Sequence, residues 1–490
     1  MMHPYFIIIP LCTAFLITFI AGKNDRIAIV LSLLATSIML AIALVIYPGL
    51  NDRCLVYEMG NWPLPFGIAL VLDSFSGFML VVVLLLAVTS LLYSMPYLEM
   101  VGRDWKYYAL FMLMLAGMCG VVLTGDIFNL FVFMEIGLLA AFALVAFGCQ
   151  AEEYEASFKY AVMGTVSSTL ILFGIAILYS STSTLTMAKI AALLPDLSPK
   201  VVWGAGALLL AGFGLKSAIM PFHAWLPDAH SSAPAPISAM LSGVLIKALG
   251  IYVLVRLFYN VFGAPQLFMQ IFVLLGLLSI IIGVLLAIAQ WDMKRLLAYH
   301  SISQVGYIIL GIGLGTPLAI LGAVYHLFNH ALFKGLLFYN AGAVEVALGT
   351  RNLKRMGNLI RALPIASHTS MVASLSIAGI PPFNGFFSKL IIIIAAIQAD
   401  RPIAALIAMI GSILTLASFM KVQRYGFRGE RAIDKVMPVG WGMNAAMIIL
   451  ALLCVLSSLM IVPGIKEIVL DPVVTVIAGK THYIQLVLGR

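Results

Sequence analysis

The sequence predicts an all-α polytopic membrane protein: about fourteen transmembrane helices, two inverted five-helix repeats, and broken helices in spans 7 and 12. Three observations predict it. The chain of 490 residues is 63% hydrophobic and only 10% charged, where a soluble protein carries about 25% charged residues. Its apolar runs repeat at the length a bilayer demands, roughly 20 residues each. A proline-containing motif recurs within two of those runs.

The runs fall at 4–22, 27–49, 71–95, 107–124, 127–149, 156–180, 201–222, 234–259, 266–290, 297–315, 318–347, 364–398, 402–421 and 439–463. The first opens MMHPYFIIIPLCTAFLITFIAG, without a basic leader or a small-residue cleavage site, and reads as a span. The segment STLTMAKIAALLPD (183–196) is too short to cross and reads as a surface helix. The connections are short and leave no room for a large soluble domain.

Of the 28 Lys and Arg, Lys216, Lys247, Lys334 and Lys389 fall deep within spans. With Lys159, Arg256 and Lys421 assigned to the nearest span ends, sixteen of the others follow odd-numbered spans and eight lie opposite. The positive-inside rule makes the odd connections cytoplasmic, places both termini outside and requires an even number of spans. The net charge of +8 thus reports topology rather than nucleic-acid binding. The five cysteines form no CxxC, and no iron–sulfur or haem spacing is present.

IMPFHAW (219–225) echoes in IPPFNGF (380–386), 161 residues on, with Lys216 before one proline break and Lys389 after the other. The copies lie in spans five apart, so they run through the membrane in opposite directions, the pattern of inverted repeats. Proline frees carbonyls, and free carbonyls at membrane depth need protein or water beside them. Each break is therefore expected to admit water to its lysine.

A charge at the bilayer centre opposes insertion by roughly 2.5–3.5 kcal/mol on translocon scales, so such groups point to function. Glu135, in span 5, has no cation in its own helix and is expected to pair with Lys216, as a switch or as a static clamp. Lys247, midway along span 8, has no opposite charge within a turn. A lysine so placed shifts its proton affinity readily. His326, His330 and Lys334 recur at i, i+4 and i+8 on one face and cover about 12 Å of helix. Imidazole passes protons because one nitrogen accepts while the other donates, so the three read as a proton ladder. Metal binding by the HxxxH pair is a rival reading, for which no third ligand is evident; hydrogen bonding to neighbouring helices is another.

His223, Asp228 and His230 read as an inlet or a polar turn after span 7, His300 and His368 as interfacial, and Asp73 and Asp126 as helix N-caps.

GDIFNLFVFMEIG, KSAIMPFHAWLPDAHSSAPAPISAMLSGVLIK, HLFNHALFK and IPPFNGFFSKL together resemble the antiporter-like subunits shared by respiratory complex I, Mrp-type sodium/proton antiporters and energy-converting hydrogenases. The resemblance covers nearly the whole chain, most clearly residues 60 to 425. It implies an N-terminal unit of three helices (1–106), a first half-channel (107–261), an inverted second half-channel (262–425) and a C-terminal helix with tail (426–490). It implies further that Glu135 and Lys216 modulate the first half-channel and Lys247 carries the central proton. His326, His330 and Lys334 connect the halves, and Lys389 is the terminal carrier, where some relatives have glutamate. The short tail after 463 is unlike the largest complex I member, and the wording of the second motif is closest to the hydrogenase and Mrp D-type branches.

The expected function is proton translocation within a multisubunit redox-driven complex of the energy-converting hydrogenase, formate hydrogenlyase or complex I kind, in a prokaryotic cell membrane. The alternative is the D-type chain of an Mrp-type sodium/proton antiporter, with no redox partner; a passive scaffold is a third reading. No cofactor or metal is expected on this chain. The expected partners are other membrane subunits, other antiporter-like chains among them, and a redox partner carrying iron–sulfur clusters with NiFe or flavin.

Overall fold

A computed structural model describes residues 3–20, 25–51, 53–102, 104–429 and 436–489. Lys23, Arg103, Arg431 and Lys435, four of the charges assigned to odd connections, lie outside them. Among the described residues, eleven helices are long and apolar enough to cross a membrane, and Tyr5–Ile20 and Asn384–Gln398 are shorter apolar helices.

In chain order the elements that matter are α1 (Tyr5–Ile20), α2 (Asp25–Ile46), α3 (Ser74–Val101), α4 (Trp105–Leu123), α5 (Ile127–Val145), α6 (Ala151–Thr182) and the short α7 (Met187–Leu193). They continue with α8 (Pro199–Lys216), α9 (Leu226–Ser232), α10 (Ala235–Val261), α11 (Gln266–Ala289), α12 (Met293–Leu314) and α13 (Pro317–Leu348). Then come α14 (Pro364–Ala378), α15 (Asn384–Gln398), α16 (Pro402–Val422) and α17 (Trp441–Leu456). Short helices Asp471–Ala478 and Lys480–Leu488 follow.

Local chemistry sets the helix starts. Asp73 and Ser76 form a reciprocal capping box at the head of α3. Asp126 accepts N–H bonds from Phe128 and Asn129 at the head of α5; burial pushes its carboxyl up, against the pull of those two donors. Asp292 caps α12 through Arg295 N–H. The cap at Asp73 also explains a departure from the all-α expectation. The chain before it forms a small antiparallel sheet, β1 (Leu55–Glu58) on β2 (Ala69–Leu72), so the first residues expected in span 3 are strand. In so apolar a chain, ALVL looks like the edge of a membrane span.

Burial sorts the helices. α10 is buried along the whole of its most apolar stretch, α12 along 94% and α13 along 89%, whereas α2 with its short continuation is buried along only 28%. A helix apolar on every side and enclosed by others is interior, and Lys247, His326, His330 and Lys334 all sit on these enclosed helices. Close backbone approach locks α11 to α12: a Cβ on Gly276 would stand 2.7 Å from Leu310 N, the small-residue packing typical of helices in lipid.

The connections after α5, α11 and α13 meet the turn after α8 on one face. Arg351 reaches Asp292 at 3.2 Å and Glu152 at 3.9 Å, Lys294 pairs with Glu345 at 2.7 Å, and Arg295 with Asp228 at 3.0 Å. A further pattern repeats across the molecule. Ile127 N–H bonds Leu185 O and Met187 N–H bonds Gly125 O; 166 residues on, Met293 N–H bonds Arg351 O and Leu353 N–H bonds Trp291 O. α7 is short, as expected, but Met187, Ala188, Ile190 and Ala191 are buried, and Tyr483 and Val487 of the last helix cluster with Ala188.

Candidate functional site

α8 ends at Lys216, and the chain turns through residues 217–225 before α9. α14 ends at Ala378, and α15 starts at Asn384. The bonds Met220–Pro221 and Pro381–Pro382 are cis.

The first break holds Lys216 almost fully buried. Its Nζ donates to Ser168 Oγ and to Gly164 O, each at 3.0 Å. Ser168 Oγ in turn donates to Glu135 Oε1 at 2.5 Å, while Lys216 Nζ and Glu135 Oε1 stand 3.9 Å apart. The expected pair is brought together, with a serine hydroxyl between the charges. Glu135's side chain is 32% exposed and Lys216's 2%, so the acid looks toward the molecular surface and the amine inward. The carbonyl that accepts from Lys216 belongs to α6, not to its own break; Leu215 O at the break is taken by Trp225 Nε1. Ser168→Ala removes a hydrogen bond to a charge, worth about 1.5–3 kcal/mol. If the chain moves protons as the resemblance implies, proton flux through the assembled complex falls by about tenfold in Ser168→Ala and is retained in Ser168→Thr; pH-dye quenching in proteoliposomes measures both.

Lys247 is fully buried, and its Nζ donates to Ser242 O. It opens one of three π-helical turns in α10: Leu241–Leu245, Lys247–Ile251 and Arg256–Val261. Such turns disrupt the regular i→i+4 ladder and recur at functional sites. Ser242 Oγ bonds Ser301 Oγ on α12 at 2.7 Å. Among the described residues no ion pair engages Lys247.

On α13, Lys334 donates to Leu297 O and lies 5.6 Å from the Phe338 ring. His326 Nδ1 bonds Ser388 Oγ at 2.9 Å. The His326 and His330 rings are 6.4 Å apart, too far to bond directly. His326 Nε2, both nitrogens of His330 and Asn329 Oδ1 are buried without a protein partner among the described residues. Buried polar atoms are nearly always satisfied, and water is the partner that fits such a gap. The ladder is thus a row of separated polar stations, not a continuous side-chain wire. Among the described residues no group of three or more His, Cys, Asp or Glu could hold a metal.

Lys389 uses a carbonyl at its own break: Nζ donates to Ile377 O at 2.7 Å, near the end of α14, and to Ser412 Oγ at 3.4 Å. It stands 4.6 Å from the Tyr307 ring, which is 5.6 Å from the His326 ring. Tyr307 therefore sits between His326 and Lys389. A cavity of about 210 Å³ lined by Gly379, Phe386 and Ser412 reaches Lys389.

The sequence reading missed several groups. His300 is not interfacial: α12 starts at Met293, which carries His300 two turns inward, and it is fully buried. His230, on α9, is also fully buried, between Trp225 and Phe338 with ring centroids 6.1 Å from each. Arg256, counted with a span end, is a buried partner of Asp73. His368 is exposed. Ser168, Ser388 and Tyr307 carried one signal in the sequence, polar side chains inside apolar runs, but it is too common to single them out.

A family profile described as NADH:quinone oxidoreductase/Mrp antiporter, TM, matches residues 124–415. The D chain of the Na(+)/H(+) antiporter of Alkalihalophilus pseudofirmus is 39% identical over 378 residues, 77% of this chain and 76% of that one. The N chain of the NADH-quinone oxidoreductase of Desulforudis audaxviator is 39% identical over 375 residues, 75% of this chain and 74% of that one. A chain of the Mrp complex from Dietzia sp. superposes with a TM-score of 0.92 at 28% identity, covering 100% of this chain and 99% of its own. With a profile match over more than half its length and relatives of this identity and coverage, the chain belongs to the NADH:quinone oxidoreductase/Mrp antiporter membrane-subunit family.

Proposed function

We propose that the chain is the proton-translocating, antiporter-like member of a multisubunit membrane complex, driven by a redox reaction on partner subunits. One observation carries this reading: Lys216, Lys247, Lys334 and Lys389 are all buried, none hydrogen-bonded to a carboxylate among the described residues, beside His326, whose Nε2 lacks a protein partner there, and His330, both of whose ring nitrogens do. Glu135 and Lys216 form the gate, Lys247 the central carrier, His326, His330 and Lys334 the connection, and Lys389 the terminal carrier. Moving one charge through 100 mV requires about 2.3 kcal/mol, and one unit of proton affinity corresponds to about 1.4 kcal/mol. Separating Glu135 from Lys216 thus has the magnitude to change the neighbouring lysine's proton occupancy without large helix motion.

The repeated backbone bridges support the two inverted halves, 107–261 and 262–425, flanked by 1–106 and 426–490. The bridge at Asp126 and the one at Asp292 each join the start of one helix to the connection after the next. They stand before span 5, on the side of the even connections, and before span 10, on the side of the odd ones. Breaks in spans 7 and 12 complete the scheme of fourteen spans. The positive odd connections face the cytoplasm of a prokaryotic cell, and both termini lie outside. Partners include other antiporter-like subunits, as the Mrp complex and quinone oxidoreductase relatives suggest, and redox subunits carrying iron–sulfur clusters with NiFe or flavin.

The test is the complete complex purified through this chain and reconstituted in proteoliposomes. We expect a redox-active subunit to co-purify and substrate turnover to acidify one side, with Lys389→Met lowering the pumped proton yield at least tenfold while turnover persists. Small membrane subunits alone, with a sodium gradient as the driving force, would replace this reading with the sodium/proton antiporter.

A further inference from the structure

The second half holds a polar column that the translocation path above does not use. His300 Nε2 bonds Ser418 Oγ at 2.8 Å, and Nδ1 is buried with no protein partner. One turn further along α12, Gln304 is fully buried and neither its amide oxygen nor its nitrogen has a protein partner among the described residues. An amide left so would lose several kcal/mol of hydrogen bonding, so the spacing calls for water. His300, Gln304 and Tyr307 recur at i, i+4 and i+7, one stripe of the helix. At its inner end, Tyr307 lies against both His326 and Lys389. Beside its outer end, Leu297 O receives the Lys334 ammonium.

Toward the face of the odd connections the column continues. Ser418 lies on α16, and Gln423, just past that helix, donates to Ser370 Oγ at 3.1 Å and Ser374 Oγ at 3.0 Å on α14. Ser367 Oγ, one turn nearer the start of α14, is buried without a partner. Immediately before it, a cavity of about 430 Å³ is lined by Leu363, Ala366, Met437 and Asn444. Hydroxyls and amides thus recur at intervals between a cavity, an imidazole and the Tyr307 junction, with gaps between them that water would have to fill.

We propose that this column is a second proton-access branch, delivering protons from the odd-connection face through His300 and Gln304 to the His326–Lys389 junction. It rests on the translocation reading. His300 is its relay. With the ring neutral and one nitrogen protonated, a proton arriving on the other nitrogen gives the imidazolium, and loss of the original N–H proton restores neutrality. One proton has then crossed the ring, and no electron moves. Ser418 fixes the ring; water carries the remaining steps.

The test uses the reconstituted complex with partner turnover monitored alongside. His300→Gln can still bond Ser418 but cannot carry a proton, and Gln304→Leu dries the next position. We expect each to lower the pumped proton yield on the order of tenfold at retained complex assembly. Imidazole in the buffer should restore pumping to His300→Ala, which a packing role would not allow. Wild-type pumping by His300→Gln, or no rescue of His300→Ala by imidazole, overturns the branch. If Lys247→Ala abolishes pumping while His300→Gln leaves it intact, the branch alone fails; if Lys247→Ala pumps normally, the translocation reading fails with it.

Discussion

Replacing Lys247 by alanine should abolish proton pumping while partner turnover stays measurable. Lys247 sits on the most enclosed helix, at the head of the second of its three π-helical turns, with its amine on Ser242 O and no ion pair among the described residues. Alanine removes the only lysine of α10, whose other cation, Arg256, is held by Asp73. A water-filled cavity alone does not replace it, because a hydrated proton in hydrocarbon meets the same penalty that opposes any buried charge. The discriminating variant is Lys247→Arg. Guanidinium keeps the charge and donor capacity but does not release its proton at physiological pH. If the lysine works by cycling between charged and neutral forms, arginine is as inactive as alanine. If it works as a fixed charge, arginine restores pumping. Proteoliposome acidification per substrate turned over reads both variants.

Much of this site was legible because hydrocarbon makes every charge conspicuous. Four lysines and Glu135 stand out from apolar runs without any alignment, and the structure buries all four amines. The i, i+4, i+8 spacing likewise put His326, His330 and Lys334 on one helix. What the spacing does not convey is distance across helices. Ser168 enters between Glu135 and Lys216 from α6, and Tyr307 enters between His326 and Lys389 from α12. Both are cross-helix contacts that sequence separation conceals. His300 was misplaced for a different reason. Met-Lys-Arg-Leu at the start of α12 lowers hydropathy, so the span reads as beginning at 297, whereas Asp292 caps the helix four residues before Leu296. The buried Lys294 in that first turn is neutralised by Glu345, which lets a polar turn lie inside the protein. The π-helical turns of α10 left no mark, since LSGVLIKALGIYV has ordinary helix composition.

Asp73→Ala should cause the largest loss of stability of any single change, because one carboxylate holds two structures. It caps α3 through Ser76 N–H at 2.9 Å. It also grips the Arg256 guanidinium with both oxygens, at 2.8 Å to Nη1 and 2.9 Å to Nη2. Arg256 is further enclosed by the rings of Phe75, Tyr252 and Tyr483, 5.1–5.4 Å from its Cζ, and it donates to Tyr252 Oη and Asn260 Oδ1. Breaking a buried pair from one side costs about 3–5 kcal/mol, and losing a cap adds about 1 kcal/mol. Most of the first term is the price of a stranded guanidinium, not the worth of the attraction. The double variant Asp73→Ala/Arg256→Met therefore should recover much of what Asp73→Ala loses, since it removes both charges and keeps the apolar contacts with the surrounding rings. Melting of the detergent-solubilised chain, followed by size-exclusion chromatography of heated samples, separates the cases. A double variant no more stable than Asp73→Ala would show that the pair's contribution lies in attraction, and that α3, α10 and the C-terminal helix are held together by charge rather than by packing.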